Sequence, residues 1–131
     1  MSIDKVTIQD FQKLDIRIGT VIKAEVPEWS HWVMKLTVDF GTEIGKRTIF
    51  AGIMHFYKSQ DLEGKQFPFV INIERKKMGP EGDFSEGMLL AAVGSRKEKG
   101  LEPLKIGGEE IDEYPVLFHL SESLPNGAKV R

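Results

Sequence analysis

The chain has 131 residues, of which 40% are hydrophobic and 29% charged, the size and balance of one globular domain with a single core. It contains no cysteine, which excludes disulfides, thiolate zinc sites, iron–sulfur clusters and a cysteine nucleophile. The formal net charge is −2. A globally basic nucleic-acid binder is therefore excluded, and any such role rests on a local patch.

Met1 to Gln9 is polar and mixed, and Asp10 to Leu14 reads as a short helical turn or entry bend. A period of two follows. Ile16, Ile18, Ile22, Ala24 and Val26 share one face, and Arg17, Gly19, Val21, Lys23 and Glu25 the other. This predicts a long half-buried strand, with a bulge or sharp coil at Gly19 and an end at Pro27. The next strand alternates as plainly: Met34, Leu36, Val38 and Phe40 against Lys35, Thr37 and Asp39. Gly41 to Gly45 is a hairpin loop, and Arg47 to Ala51 returns as a third strand. Gly52 to Gln60 has helical spacing, closed by Asp61 to Gly64. Gln66 to Ile73 predicts a fourth strand, Arg75 to Phe84 a loop, and Gly87 to Val93 a buried fifth strand.

The order β-β-β-α-β-β, with the helix between the third and fourth strands, predicts an all-β fold: a five-stranded OB-fold barrel with a helical plug. An SH3-like barrel, which usually lacks that helix, and an open sandwich are the rivals. The core spans about residues 10–94 of a single domain. Ser95 to Glu113 reads as a long charged loop, Val116 to Leu120 as one more strand, and Pro125-Asn126-Gly127 as a tight turn in a C-terminal extension.

The longest apolar run, Met88 to Val93, is far short of the ~20 residues of a membrane span. The N-terminus carries early charges and no apolar h-region. The expectation is a cytoplasmic protein with no membrane contact. Charge is segregated along the chain. Lys46 to Lys77 holds seven bases against three acids, whereas Gly100 to Ser123 holds one base against six acids.

Apparent catalytic motifs fail on inspection. Gly41 to Thr48 (GTEIGKRT) looks like a phosphate-binding loop, but its spacer is one residue short, Arg47 stands where Ser or Thr is needed, and a strand follows instead of a helix. Asp39-Phe40-Gly41 is no kinase signature in a chain of this length. His31, His55 and His119 fall on three different elements without carboxylate spacing, which supports neither a metal site nor a serine triad. The expectation is no enzyme, no metal and no cofactor.

The loop ERKKMGPEGDFSEGM, Glu74 to Met88, is the most informative segment. It follows an apolar strand directly, so Arg75, Lys76 and Lys77 are fixed near a barrel rim, within reach of phosphates. Arg17, Lys46 and Arg47 are candidates to join them. Trp29 and Trp32 flank His31 in a loop at the barrel mouth. Three readings stay open for them: stacking on exposed bases, an apolar patch for a peptide or partner, or cover for the core.

Phe11-x-Lys13-Leu14-Asp15-Ile16-Arg17-x-Gly19, Gly52-Ile53, the basic loop at Arg75 to Lys77 and Ser85-Glu86-Gly87-Met88-Leu89-Leu90-Ala91-Ala92 together resemble the tRNA-binding domain family. Its members are OB-folds that occur free-standing, at the C-terminus of bacterial methionyl-tRNA synthetases and in EMAP II-like proteins. The wording Val38-Asp-Phe-Gly-Thr-Glu-Ile-Gly45 and Pro125-Asn-Gly127 is similar to the CsaA-like, export-related chaperone branch. The resemblance implies a homodimer that binds the outside of tRNA without catalysis, with Ser85, Met88, Arg75, Lys76 and Lys77 on the RNA face. Where many RNA-binding members carry Asn-Ala-Asp-Lys, this chain has Trp29-Ser30-His31-Trp32, which puts Trp32 in place of a lysine. The alternative it implies is a chaperone that holds unfolded or pre-export polypeptides in an apolar groove.

Overall fold

The computed structural model describes residues 4–131. The first three residues of the polar N-terminal segment lie outside the described residues. The chain opens with α1 (Ile8–Gln12), where the Thr7 hydroxyl accepts from the Asp10 amide and the Asp10 carboxylate accepts from the Thr7 amide, a reciprocal cap on an exposed turn. Three strands follow, β1 (Ile16–Glu25), β2 (Met34–Asp39) and β3 (Lys46–Ala51), then a short α2 (Ser59–Leu62) and β4 (Gln66–Val70). Four short strands come next: β5 (Lys76–Met78), β6 (Asp83–Ser85), β7 (Met88–Leu89) and β8 (Ala91–Ser95). A 3-10 turn at Lys97–Lys99 leads to β9 (Leu104–Ile106), β10 (Glu109–Ile111), β11 (Glu113–Leu117) and β12 (Lys129–Val130).

The strands pair antiparallel in the order β3-β2-β1-β4-β7, and the two ends of that path meet. The Glu86 amide donates to the Thr48 carbonyl at 2.8 Å, and the Phe50 amide donates to the Ser85 hydroxyl at 3.0 Å. The result is a nearly closed five-strand antiparallel barrel with a short helix, consistent with an OB-fold. Its interior is filled by Val21, Leu36, Val38, Ile49, Phe67 and Phe69, with Leu62 of α2 inserted at one end and Leu117 of β11 packed against the cluster. Phe40 and Phe69 meet edge to face at 5.4 Å.

β1 serves both halves of the barrel. Residues Ile16 to Thr20 pair with β4, and Thr20 to Glu25 with β2. The strand must bend to do so, and the register shifts between Val21 and Lys23. The bulge sits there and not at Gly19. Gly19 and Val21 face the core in odd phase, and the bulge returns the strand to even phase, so Val21 and Ala24 are both buried whereas Ile22 between them is exposed. Gly19 has a different role. A Cβ on it would lie 2.5 Å from Val38 Cγ1 and 2.7 Å from Phe40 Cε1, so the β1 backbone lies directly on the core.

The predicted fifth strand is broken in two at Leu90. Its partner in β4 is Pro68: the Leu90 amide donates to the Pro68 carbonyl at 3.1 Å, but proline offers no amide in return. The ladder ends there. β8 leaves the barrel to pair with β11, its residues Ala92 and Val93 exposed instead of buried. Two loops also turn out to be hairpins, β5–β6 within the basic segment and β9–β10 within the charged extension, each closed by positive-φ glycines. The helical spacing of Gly52 to Gln60 becomes one turn at 53–57 followed by the four-residue α2.

The turn at Pro125-Asn126-Gly127 straps the β1–β2 corner. Gly127 donates to the Ile18 carbonyl at 2.7 Å, and Ile18 donates to the Ala128 carbonyl at 2.8 Å. Asn126 Oδ1 accepts from Thr20 at 2.6 Å and from Gln66 at 3.2 Å. No helix of the described residues is long and apolar enough to cross a membrane.

Candidate nucleic-acid interface

In register, Lys35 faces Phe50, Thr37 faces Thr48 and Asp39 faces Lys46. These pairs form the outer face of β2–β3, because Met34, Leu36 and Val38 point inward. The β5–β6 hairpin flanks this face and is tied to it by the Lys35–Asp83 ion pair at 3.1 Å. The loop between β1 and β2 flanks it too. Trp29 packs 5.9 Å from Phe50 and lies over Gly79 in the hairpin turn, where a Cβ would be 2.4 Å from the indole. Outer-face β2–β3 surfaces and these two loops are where OB-folds take up oligonucleotides.

The hairpin separates the three cations. Lys77 pairs with Phe84 and Lys76 with Ser85, and side chains alternate along a strand. Arg75, Lys77 and Phe84 thus share one face, and the Arg75 guanidinium sits 4.2 Å above the Phe84 ring. That contact is a cation–π pairing that braces the guanidinium on the ring. Lys76 belongs to the opposite face, alongside Met78. All three cations are exposed. Met88 is 47% exposed on the adjoining β7. Lys46 is exposed at the far end of the β2–β3 face, opposite Asp39.

Three of the predicted site residues are engaged in internal contacts. The buried Ser85 hydroxyl accepts from the Phe50 amide and donates to the Gly87 carbonyl at 3.1 Å, completing the seam between β3 and β6. Gly87 follows because a Cβ there would press on the Val70 carbonyl at 2.9 Å. Arg47 turns inward and donates to the Ile71 carbonyl at 2.6 Å. Arg17 is clamped between Asp15 at 2.6 Å and the Gly127 carbonyl at 3.0 Å. Apart from Asp15 and Gly87, none of these partners is visible in local sequence spacing, since each lies more than twenty residues away.

Trp32 is 40% exposed. Its indole lies over Gly52, 5.5 Å from His55 and edge-on to Phe56 at 6.1 Å, so one side is backed by protein and the rest meets solvent. Sequence reasoning passed over Phe84 and Lys35. The signal for Phe84 was the glycine pair Gly79 and Gly82, whose turn brings it back beside Lys77. Among the described residues no three His, Asp or Glu side chains converge as a metal site would require.

A nearly closed antiparallel barrel with a plugging helix, and with cations and aromatics on the two loops that flank its β2–β3 face, defines an OB-fold. Comparison with known proteins narrows this class. Residues 16–109 match the family described as "Putative tRNA binding domain", and the chain belongs to that family. It is 33% identical over 128 residues to a methionine–tRNA ligase 1 of Bacillus cereus, covering 98% of this chain and 16% of that protein. It is 44% identical over 103 residues to the methionine–tRNA ligase of Archaeoglobus fulgidus, covering 78% of this chain and 15% of that one. The chain therefore spans only a small part of these enzymes. Among solved structures it is similar to a MetRS related protein from Pyrococcus horikoshii, with TM-score 0.76, 32% identity and coverage of 98% and 100% of the two chains. It is also similar to the chaperone CsaA of Bacillus anthracis, with TM-score 0.72, 30% identity and the same coverage.

Proposed function

We propose that the protein binds tRNA without catalysis, through backbone and shape. The observation that carries this reading is the Arg75–Lys77–Phe84 face of the β5–β6 hairpin, whose turn packs under Trp29 at the rim of an OB barrel. Arg75 and Lys77 neutralise phosphates, with Lys76 and Lys46 contributing from neighbouring surfaces. Trp32 and Met88 offer apolar contact to bases or sugars. Ser85, Arg17 and Arg47 position the face by closing the barrel and the strap beneath it.

The same reading makes the protein a homodimer. Phe11 and Leu14 of the α1 region and Val130 of β12 are exposed around a groove of about 670 Å³, and Val93, Val116 and Phe118 are exposed on the β8–β11 sheet and just beyond it. Pairing two RNA faces raises avidity without a new contact.

The test is binding of total tRNA, by fluorescence anisotropy, across a salt series, beside binding of a chemically unfolded polypeptide. The expected result is tRNA affinity that falls steeply with salt. Salt-insensitive binding of the unfolded polypeptide, with tRNA unbound at low salt, selects the CsaA-like chaperone function instead. Light scattering checks the dimer: a mass near twice 14.8 kDa is expected, and a single-chain mass at micromolar concentration refutes it.

A further inference from the structure

A second cationic–aromatic site lies outside the β2–β3 face. The turn at 53–57, the 3-10 turn at Lys97–Lys99 and β11 enclose a cleft of about 300 Å³, whose walls include Phe56, Tyr57, Tyr114, Arg96, Lys99 and Leu101. We propose that this cleft receives one nucleotide of the bound RNA, the base against the aromatic walls and a phosphate on Arg96 and Lys99. The inference rests on the tRNA-binding reading and extends the path of the RNA beyond the recognition loops.

The geometry is built, beginning with the cations. Asp112 holds the 3-10 turn from outside: its carboxylate accepts from the Ser95 hydroxyl at 2.7 Å and from the Lys97 amide at 2.7 Å, and its carbonyl accepts from the Arg96 amide at 3.0 Å. Gly100, at φ 72°, and Leu101 then close the turn back onto Lys97 and Arg96. Arg96 uses its Nε on the Glu102 carbonyl at 2.7 Å, which fixes the guanidinium plane and leaves its two terminal nitrogens for a bidentate acceptor. None of the ion pairs among the described residues involves Arg96, Lys97 or Lys99. The neighbouring acid, Asp112, spends its carboxylate on the Ser95 hydroxyl and the Lys97 amide, so no side-chain ion pair occupies the Arg96 terminal nitrogens or Lys99 Nζ.

The aromatic walls are equally fixed. Tyr114 faces Gly94 in register, and a Cβ at Gly94 would lie 2.6 Å from the phenol ring, so only glycine lets the ring lie there. Lys99 Nζ sits 5.3 Å from the centre of that ring. The Tyr57 hydroxyl donates to the Pro115 carbonyl at 2.9 Å, which joins the two walls. Stacking surface beside unneutralised cations is the combination that single-stranded nucleotides select, the π-face for a base and the charge for its phosphate. A polypeptide segment uses the apolar walls but leaves both cations unmatched unless it is acidic.

Continuity with the recognition loops supports the same occupant. Phe56 belongs to both places: its ring meets Trp32 edge-on at 6.1 Å and also lines the cleft. Trp32 of the β1–β2 loop is thereby joined through Phe56 to the cleft that holds Arg96 and Lys99. The volume, about 300 Å³, is at the small end of ligand cavities and suits one nucleotide, not a longer stretch.

The experiment compares the intact chain with Arg96→Ala/Lys99→Ala and with Arg75→Ala/Lys77→Ala, using total tRNA by anisotropy over a salt series and a 5′-mononucleotide followed by NMR of the aromatic ring signals. The expected results are a tRNA affinity about tenfold weaker for Arg96→Ala/Lys99→Ala, a log–log salt slope smaller by about 1.5, and mononucleotide shifts at Phe56, Tyr57 and Tyr114 that disappear in this variant. If Arg96→Ala/Lys99→Ala retains wild-type affinity and slope while Arg75→Ala/Lys77→Ala loses them, the cleft proposal falls and the tRNA-binding reading stands. If wild type ignores tRNA yet the mononucleotide moves the three rings in an Arg96- and Lys99-dependent way, the cleft is a site for a free nucleotide, and the placement of bound RNA there falls with the tRNA reading. Loss of unfolded-polypeptide binding in Arg96→Ala/Lys99→Ala, with the rings unmoved by nucleotide, assigns the cleft to peptide and overturns the proposal.

Discussion

Ser85→Ala separates a seam residue from an RNA contact. The serine hydroxyl is the acceptor for the Phe50 amide at 3.0 Å and the donor to the Gly87 carbonyl at 3.1 Å, both in a buried setting. Alanine leaves the Phe50 amide without a partner where water does not reach. An orphaned buried donor costs roughly 1–3 kcal/mol, so about 2 kcal/mol is expected. With an unfolding entropy of about 2.1 cal/mol/K per residue over 131 residues, that lowers Tm by about 7 °C. Thermal unfolding followed by circular dichroism reads the shift. Hydrogen exchange locates it, with loss of protection centred on Phe50 and Glu86. At a temperature where the variant stays folded, tRNA affinity should remain within about twofold of wild type. A Tm within 1 °C of wild type, or a tenfold loss of affinity in the folded variant, would show that the hydroxyl serves RNA and not the seam.

Other substitutions probe different parts of the account. Gly19→Ala drives a methyl into Val38 and Phe40, and urea unfolding should show a loss of about 1–3 kcal/mol; an unchanged midpoint refutes the close approach of β1 to the core. Tyr114 carries a buried hydroxyl with no hydrogen-bond partner, so Tyr114→Phe should be neutral or stabilising, up to about 1 kcal/mol, and a clear loss of stability means the phenol oxygen has a partner. The Ser95 hydroxyl, then the Lys97 amide, with smaller help from the Lys97 and Arg96 charges, hold the Asp112 carboxyl below the usual carboxylate range. A group depressed in the folded state contributes stability above its unfolded pKa, and that contribution is lost as pH falls through the folded value. Carboxyl-carbon NMR should give Asp112 a midpoint below the ordinary ~3.9, with the 97–99 turn loosening only in that range; a midpoint at or above the ordinary value refutes the cap.

The parts of the fold legible in sequence were those set by local period. Met34, Leu36, Val38 and Phe40 alternate and are all buried, and the strand–strand–strand–helix–strand–strand order led to the barrel. Long-range pairing was less legible. The bulge after Val21 exists because β1 serves two partners, a fact absent from its own residues. The break at Leu90 is caused by Pro68, a signal that was present in the sequence but twenty-two positions away. The same physics governs the site. The basic run from Arg75 to Lys77 was plain in composition, but its division between two faces of a hairpin depends on the register with Phe84 and Ser85. Arg17, outward by alternation, and Arg47, on the same side of β3 as the buried Ile49, are drawn into carbonyl contacts that only the closed barrel provides.

The central claim is that phosphate neutralisation by the hairpin face drives RNA binding. Its most direct test is the salt dependence of tRNA affinity for wild type and Arg75→Ala/Lys77→Ala. Two lost phosphate contacts should reduce the slope of log affinity against log salt by about 1.5, with a uniform loss across tRNA species because phosphate contacts carry no sequence information. An unchanged slope, with binding lost instead in Trp32→Ala, contradicts the account.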